Sequence, residues 1–432
     1  MKFDQQLYKN YVLPKNEKFH DKFEFPEDID RITTFQENKK LPLYSWFPYK
    51  QGFSRALVHR IIKRQNISLG QTVCDPFLGS GTTVLACIEQ NIAANGIDIL
   101  PLCQFISATK VQATLIDPEE ILEGAKEIRK GKTTTKYRWP NIQIVEKAVP
   151  GPVKEKLMLY KDRIENSKLS NRIKNVLLLA LAATIDSCCF AKKDGGFPRI
   201  VRDRQICDTD EVFWDLCQAY STDLKRFKKE HPSLDRDIVV SCQIQCGDAR
   251  NAPLKDLSID STITSPPYLN KTDYTRIYSI ELSFLFIRRF EEIRDLRYRT
   301  FCSHVEAKPV LPPVDLPIEL LKRIKILSQS KLTNPRHPQM VEGYFQDLHH
   351  CLKDNYRYLK NGGYAAWVVW NSSLSGIQFP VDVLLAEIAE NIGFNVEAIE
   401  CVRLTGTSAQ QAKLYGDKVL RESVVYLRKK RN

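Results

Sequence analysis

The sequence predicts an α/β protein: a doubly wound sheet interrupted by a large, mainly helical insertion. Three observations carry that prediction. Near residue 72 a short apolar run enters a glycine-containing loop, then a helix, then a second apolar run ending in an acid, which is how a doubly wound sheet opens. The strand-like pattern then gives way to helical spacing over residues 109–240. Short apolar runs separated by helical stretches resume after that and continue to the end of the chain.

Residues 1–40 are polar, charged and poorly periodic, and read as an N-terminal arm. Aromatics cluster next, at Tyr44, Trp46, Phe47 and Tyr49. Ser54 to Lys63 has helical spacing, with Leu57, Ile61 and Ile62 on one side and Ser54 as its N-cap. Thr72-Val73-Cys74 is a strand, Val84 to Gln90 a helix, and Ala93 to Ile97 a second strand closing on Asp98. Residues 41–108 are thus the first part of the sheet domain.

Residues 109–240 read as a basic helical insertion: from Lys110 to Lys174 there are 15 Lys+Arg against 9 Asp+Glu, a local excess of +6. A long apolar helix, Asn171 to Phe190, is broken by Asp194-Gly195-Gly196, and Arg199, Arg202 and Arg204 follow. The strand signature resumes at Asp237, with Ile238-Val239-Val240 and Ile244. Ile259 to Thr264 is another strand and runs into Ser265-Pro266-Pro267-Tyr268. Ile277 to Arg288 is helical, and residues 289–340 are polar and proline-rich and read as a loop segment. Tyr344 to Leu359 is a helix, Asn361-Gly362-Gly363 a turn, and Tyr364 to Trp370 a strand. Helix Val381 to Ile392 ends at Gly393, before the final strands Val396 to Leu404 and Ser423 to Leu427. Residues 241–432 are the second part of the sheet domain, and the two parts must close together in space.

Composition narrows the function. At 432 residues and 43% hydrophobic content the chain can bury a sizeable core. The 64 Lys+Arg against 52 Asp+Glu leave a net charge of +12. That balance suits a polyanion such as nucleic acid, or a merely solvated basic surface. The longest apolar run, Val176 to Ile185, falls short of the ~20 residues that span a membrane. Met1 to Asn10 lacks the apolar core of a signal peptide. The 12 cysteines include no C-x-x-C pair and read as reduced thiols of a cytoplasmic protein. Cys242 and Cys246 lack zinc spacing and no second pair follows, so no metal is expected.

The loop Asp75-Pro76-Phe77-Leu78-Gly79-Ser80-Gly81-Thr82-Thr83 lies between strand and helix, where Gly79 and Gly81 permit a tight turn and close approach to a ligand. It lacks the Gly-Lys-Ser/Thr ending of a P-loop and the third glycine of a dinucleotide loop, so a pyrophosphate is not its ligand. Asp98, 17 residues after Gly81, can accept hydrogen bonds from ribose hydroxyls, or can be a turn residue at a strand end.

These residues resemble the amino-group DNA methyltransferases, which methylate cytosine N4 or adenine N6. DPFLGSGTT is similar to their S-adenosylmethionine motif and TSPPY, Thr264 to Tyr268, to their catalytic motif, in that order along the chain. The segment Tyr49 to Lys63, the run Gly247-Asp248-Ala249-Arg250 and the closing half, Gly362 to Leu427, extend the likeness to roughly half of the chain. The resemblance implies a Rossmann-like methyltransferase sheet. It implies that Asp75, Pro76, Phe77, Gly79, Gly81, Thr82 and Thr83 wrap the methionine part of S-adenosylmethionine. Asp98 would hold the ribose, Asp248 would face the adenine, and Phe53 would line the same pocket. In that family S-P-P-Y leans toward cytosine N4 and D/N-P-P-Y toward adenine N6, so Ser265 favours cytosine, with adenine as the alternative.

The chemistry fits the motif. An exocyclic base amine is a poor nucleophile because its lone pair is delocalised, and acceptors on its two hydrogens favour the pyramidal form that attacks. Ser265 Oγ and the Pro266 carbonyl can be those acceptors, since Pro266 and Pro267 fix φ and leave carbonyls free. Tyr268 offers a face for a flipped base. Between the two motifs the basic insertion suits DNA phosphates, with Arg199, Arg202 and Arg204 able to reach base edges; otherwise it caps the sheet. Asn334-Pro335-Arg336-His337-Pro338, within 289–340, competes for the recognition role. The expected partner is double-stranded DNA, with a cognate restriction endonuclease beside it. An RNA methyltransferase or an inactive DNA-binding protein are the remaining readings.

Overall fold

In the computed structural model, residues 11–15, 17–26, 35–50, 52, 54–131, 134, 135, 137–193, 196–270, 272–406, 413, 414, 416 and 418–431 are described. Phe53, Asp194 and Gly195, singled out above, lie outside them. The strands are β1 (Phe23–Glu24), β2 (Thr72–Asp75), β3 (Ala93–Asp98), β4 (Ala191–Lys192), β5 (Arg199–Ile200) and β6 (Gln243–Cys246). They continue with β7 (Ile259–Thr264), β8 (Leu359–Trp370), β9 (Ser372–Leu374), β10 (Ile377–Phe379), β11 (Phe394–Thr405) and β12 (Leu420–Lys429).

Eight strands form the main sheet in the order β1-β11-β12-β8-β7-β2-β3-β6. From β6 to β8 neighbouring strands are parallel, while β12 runs antiparallel to β8 and β11. β4 pairs with β5 and β9 with β10 in separate hairpins. The chain leaves β2 toward β3 and β6, then returns to β7 on the other side of β2. That reversal opens a crevice at the carboxyl ends of β2 and β7, the usual ligand position in such sheets. The two parts of the domain do close together: Asn95 in β3 pairs with Gln243 in β6 across the insertion.

Helices cover both faces, so the central strands are buried on each side. Along β8 the period-two alternation is direct: Ala366 and Val368 enter one apolar core, Ala365, Trp367 and Val369 the other. The first core also holds Leu57 and Val58 of the helix Arg55–Arg64, Val84 and Leu85 of the helix Thr82–Ile88, and Ile106 of the helix Pro101–Ala113. Leu179 and Leu181 of the insertion helix Asn171–Cys188 and Phe213 of the helix Thr209–Glu230 join it. The insertion therefore shares its core with the sheet. The second core takes Val341 and Leu348 from the helix His337–Tyr358 and Leu384 and Leu385 from the helix Val381–Ile392.

Local chemistry explains where sequence and structure agree. Ser54 caps its helix, its Oγ accepting from Leu57 N at 3.1 Å. Three expectations need correction. Ile238-Val239-Val240 is not strand but part of the helix Arg236–Ser241. Asp235 caps it through Asp237 N, and of this β-branched run only Val239 is buried, Val240 being 61% exposed. Strand β6 starts only at Gln243. Residues 289–340 are not one loop: they contain the helices Phe290–Arg299 and Ile318–Gln329. In the second, Leu320 and Leu327 stand two turns apart on the buried side, and Pro317 sits just before its first turn. Asn361-Gly362-Gly363 is not a turn before the strand. It is a bulge inside β8, with Gly362 at φ +77° and a Cβ on Gly363 only 2.8 Å from the Asp260 carbonyl.

Candidate active site

At the carboxyl end of β2 the chain turns through the glycine loop into the helix Thr82–Ile88. Asp75, the last residue of the strand, is buried, and its carboxylate accepts from Phe77 N (3.0 Å), Thr83 Oγ1 (2.6 Å) and Thr264 Oγ1 (2.7 Å). It thereby joins the ends of β2 and β7 to the helix. Burial pushes its pKa up to about 6 despite those three donors. Gly79 and Gly81 have φ of +52° and +84°. A Cβ would stand 3.2 Å from the Tyr49 ring at the first and 2.7 Å from Ser107 Oγ at the second, so both glycines are demanded by conformation and space. Lys110, fully buried behind the loop, donates to the Ser80 carbonyl (3.2 Å) and the Tyr44 carbonyl (3.3 Å), and burial pulls its pKa down to about 7.

Asp98, at the end of β3, accepts from Gly79 N on Oδ2 and from Leu100 N on Oδ1, both at 2.9 Å. Its carboxylate thus orients the glycine loop. Burial pushes its pKa up to about 6. Each oxygen still has a second lone pair for an incoming hydroxyl.

A cleft of about 920 Å³, counting the part open to solvent, lies over these strand ends. Of the expected residues, Pro76, Phe77, Gly79, Thr82, Asp98, Asp248, Ser265 and Pro267 line it. Asp75 and Thr83 stand behind the wall, bonded to each other, and Gly81 carries the turn there. Pro266 is buried beside the cleft. Asp248 is gripped by Arg250, Nε to Oδ1 at 2.9 Å and Nη2 to Oδ2 at 2.7 Å, and Arg250 in turn pairs with Asp347 at 2.9 Å. The cleft suits a nucleoside-bearing cofactor. It offers the half-buried Asp98 carboxylate for sugar hydroxyls, apolar walls at Phe77, Ile99, Leu100 and Phe301, and a loop whose glycines leave room for close approach.

At the carboxyl end of β7, Ser265 Oγ donates to Tyr268 Oη at 3.3 Å, and Tyr268 Oη donates to Glu422 Oε1 at 2.7 Å. The Tyr268 ring lies 5.9 Å from that of Trp370. Burial, then the Glu422 charge, raises the Tyr268 pKa well above its ordinary value. Ser265 and Asp98 line the same cleft, so the two motifs meet across the switch point.

Sequence reasoning missed part of this wall. Tyr49 and Tyr274 line the cleft and stack at 5.8 Å, with Tyr278 at 5.2 Å from Tyr49 continuing the stack. The i, i+4 spacing of Tyr274 and Tyr278 was the available signal. Phe301, Ser303 and His304 also line it and come from the segment read as loop, where no signal marks them. Arg250 was visible only as part of the Gly-Asp run.

The arginines named for DNA sit elsewhere. Arg199 and Arg202 are exposed, and half-buried Arg204 donates to the Ala191 carbonyl. Arg204 lines a second cleft with Lys39, Lys50, Lys192 and Lys193, and Tyr49 lines both clefts. Asn334 turns the chain into the helix His337–Tyr358, its Oδ1 accepting from Arg336 N at 2.9 Å. Among the described residues no group of His, Cys, Asp and Glu has the geometry of a metal site, and no helix is long and apolar enough to cross a membrane.

A parallel-centred sheet with its last strand antiparallel, and a glycine loop facing an S-P-P-Y turn at the switch point, define a Rossmann-like methyltransferase. The family model of the N6_N4_Mtase DNA methylases matches residues 2–105. Type II methyltransferase M.AvaI of Nostoc sp. is 30% identical, over 96% of this chain and 92% of its own length. Type II methyltransferase M.BsoBI of Geobacillus stearothermophilus is 29% identical, over 91% and 87%. Among solved structures, the rRNA methyltransferase aviRa of Streptomyces viridochromogenes aligns over 88% of this chain and 87% of its own, at 11% identity and a TM-score of 0.31. The chain belongs to the amino-group DNA methyltransferase family, the N6/N4 methylases of Type II restriction-modification. Its methyl donor is S-adenosylmethionine.

Proposed function

We propose that the protein methylates the N4 amine of cytosine within a specific site in duplex DNA, as the modification enzyme beside a cognate restriction endonuclease. The observation that carries this reading is the arrangement of Ser265. Its hydroxyl hydrogen is directed to Tyr268, which leaves its oxygen free to accept, and Ser265 lines the cleft that Asp98 also lines. An oxygen held this way accepts, and an amine that must pyramidalise needs acceptors. The Pro266 carbonyl is the second, and the Tyr268 ring is the surface for the flipped base, a contact worth ~1–3 kcal/mol. The bound cofactor supplies an electrophilic methyl on sulfonium. The rest is orientation by this chain's own groups, with Asp98 on the ribose hydroxyls and the wall at Asp248 beside the adenine.

Serine at the head of the motif supports cytosine over adenine. The basic cleft around Arg204 supports duplex phosphate contact beside the active site, with Arg199 on the adjoining hairpin and Arg202 in the turn after it. The test is transfer of labelled methyl groups to duplex DNA and to RNA by the wild-type protein and by Ser265→Ala. Label in DNA, lost in Ser265→Ala while cofactor binding persists, is the expected result. Label confined to RNA, or full activity in Ser265→Ala, overturns the assignment.

A further inference from the structure

We propose that Glu422 is the terminal proton acceptor of a relay, Ser265–Tyr268–Glu422, which takes up the proton released when the target amine is methylated. The proposal rests on the amine-methylation reading above and extends it to a residue far along the chain. Glu422 lies in β12, directly opposite Trp370 of β8 and Arg403 of β11. Directly opposed residues share a face of the sheet. That face abuts the catalytic turn: Tyr268 Oη donates to Glu422 Oε1 at 2.7 Å and receives Ser265 Oγ–H at 3.3 Å. The other carboxylate oxygen, Oε2, accepts from Arg403 Nε at 2.7 Å, and the Arg403 guanidinium sits 4.3 Å from the Trp370 ring centroid. Glu422 is buried. The groups facing it are Tyr268 from the catalytic turn, Arg403 from β11 and Trp370 from β8.

The chemistry requires such an end point. Methylating a neutral amine forms an N–C bond and breaks the C–S bond, whose electron pair stays on sulfur. One amine proton is then surplus. Neither a serine nor a tyrosine hydroxyl can keep an added proton at neutral pH. Each can hand its own hydrogen forward as it receives another. The amine proton passes to Ser265 Oγ, the Ser265 hydrogen to Tyr268 Oη, and the Tyr268 hydrogen to Glu422 Oε1. The product is a neutral methylated base, two restored hydroxyls and a neutral carboxyl group, and charge and atoms balance. The observed donor directions are those the relay needs. Glu422 touches neither base nor cofactor, so it is a positioning residue that acts through Tyr268.

The test compares wild type, Glu422→Gln and Tyr268→Phe on unmodified genomic duplex DNA with tritiated S-adenosylmethionine, in single turnover across a pH series. Glu422→Gln still accepts the Tyr268 hydrogen bond but cannot take a proton. Tyr268→Phe keeps the ring but breaks the relay. Both are expected to lower the methyl-transfer rate by about a hundred-fold, the scale of general base catalysis, with cofactor affinity near wild type; the thermal midpoint should fall in Glu422→Gln, where Arg403 loses its anion, and less in Tyr268→Phe, which keeps the Glu422–Arg403 pair. The rate–pH profile of wild type should carry an acid limb that Glu422→Gln lacks. Independently of activity, the ¹³Cζ resonance of Tyr268, whose hydroxyl donates to Glu422 Oε1, should differ between the free wild-type protein and Glu422→Gln. A wild-type protein that labels no DNA overturns the amine-methylation reading itself. Active wild type with an unchanged rate and pH profile in Glu422→Gln, or a Tyr268 resonance indifferent to that change, overturns the relay alone.

Discussion

Asp75, which is buried, and Asp98, which is half-buried, both have pKa values pushed up to about 6, yet they do different work. Asp75 spends its oxygens on Phe77, Thr83 and Thr264 and holds the loop's frame. Asp98 lines the cleft with lone pairs to spare. On the proposed reading a ribose hydroxyl donates to Asp98, and it donates more strongly to the ionised carboxylate than to the protonated form, which keeps only a neutral acceptor. Cofactor affinity should therefore be level above neutral pH and fall as pH drops through about 6. Titration calorimetry on Asp98→Asn should find that pH dependence gone and binding weaker by ~1.5–3 kcal/mol at neutral pH. The stability effect has the opposite sense. Between about pH 4 and pH 6 the folded chain holds protons at these two residues that the unfolded chain has released, so they lower stability as pH rises through that window. Much of this was legible in the sequence, because a strand, a tight glycine loop and a strand-end acid each leave a local signature. What Asp75 bonds to was not, since Thr264 lies 189 residues away and meets it only when β7 pairs with β2.

Elements were read well where their periodicity is long and their caps are local, and poorly where tertiary packing decides. The helices of the insertion and the closing strands follow from spacing. The Ile238-Val239-Val240 run misleads because β-branched residues also occupy a short helix when a cap such as Asp235 starts it. Residues 289–340 mislead because prolines flank helices as readily as they fill loops. The insertion is anchored to the helix Ser279–Leu285, beyond the turn Ser265 to Tyr268: Lys193 pairs with buried Glu281, and Trp139 Nε1 donates to Ser283 Oγ at 3.0 Å. Lys193→Met leaves Glu281 buried without its cation. It should cost about 3–5 kcal/mol, read as a lowered denaturant midpoint. On the outer side of the same insertion, replacing Arg199, Arg202 and Arg204 together by alanine should weaken duplex binding and flatten its salt dependence, with cofactor affinity unchanged. Filter binding across a salt series reads both quantities. Unchanged affinity moves the recognition surface elsewhere, with Asn334 to Pro338 the next candidate.

At the scale of the whole molecule, the sheet order brings together motifs that the sequence holds far apart. Asp98 and Ser265 share one cleft although 167 residues separate them, most of that distance being the insertion. The excess of +12 charges suits a duplex partner, and the cleft of lysines around Arg204 borders the cofactor cleft through Tyr49. On the proposed reading, which base the site accepts turns on Ser265 and on the turn that holds it. Nucleoside mass spectrometry of digested DNA from cells expressing the protein, in a host without its own modification enzymes, measures that most directly. N4-methylcytosine that appears with the wild-type protein and is absent with Ser265→Ala is the predicted result; N6-methyladenine, or no methylated nucleoside, would contradict it.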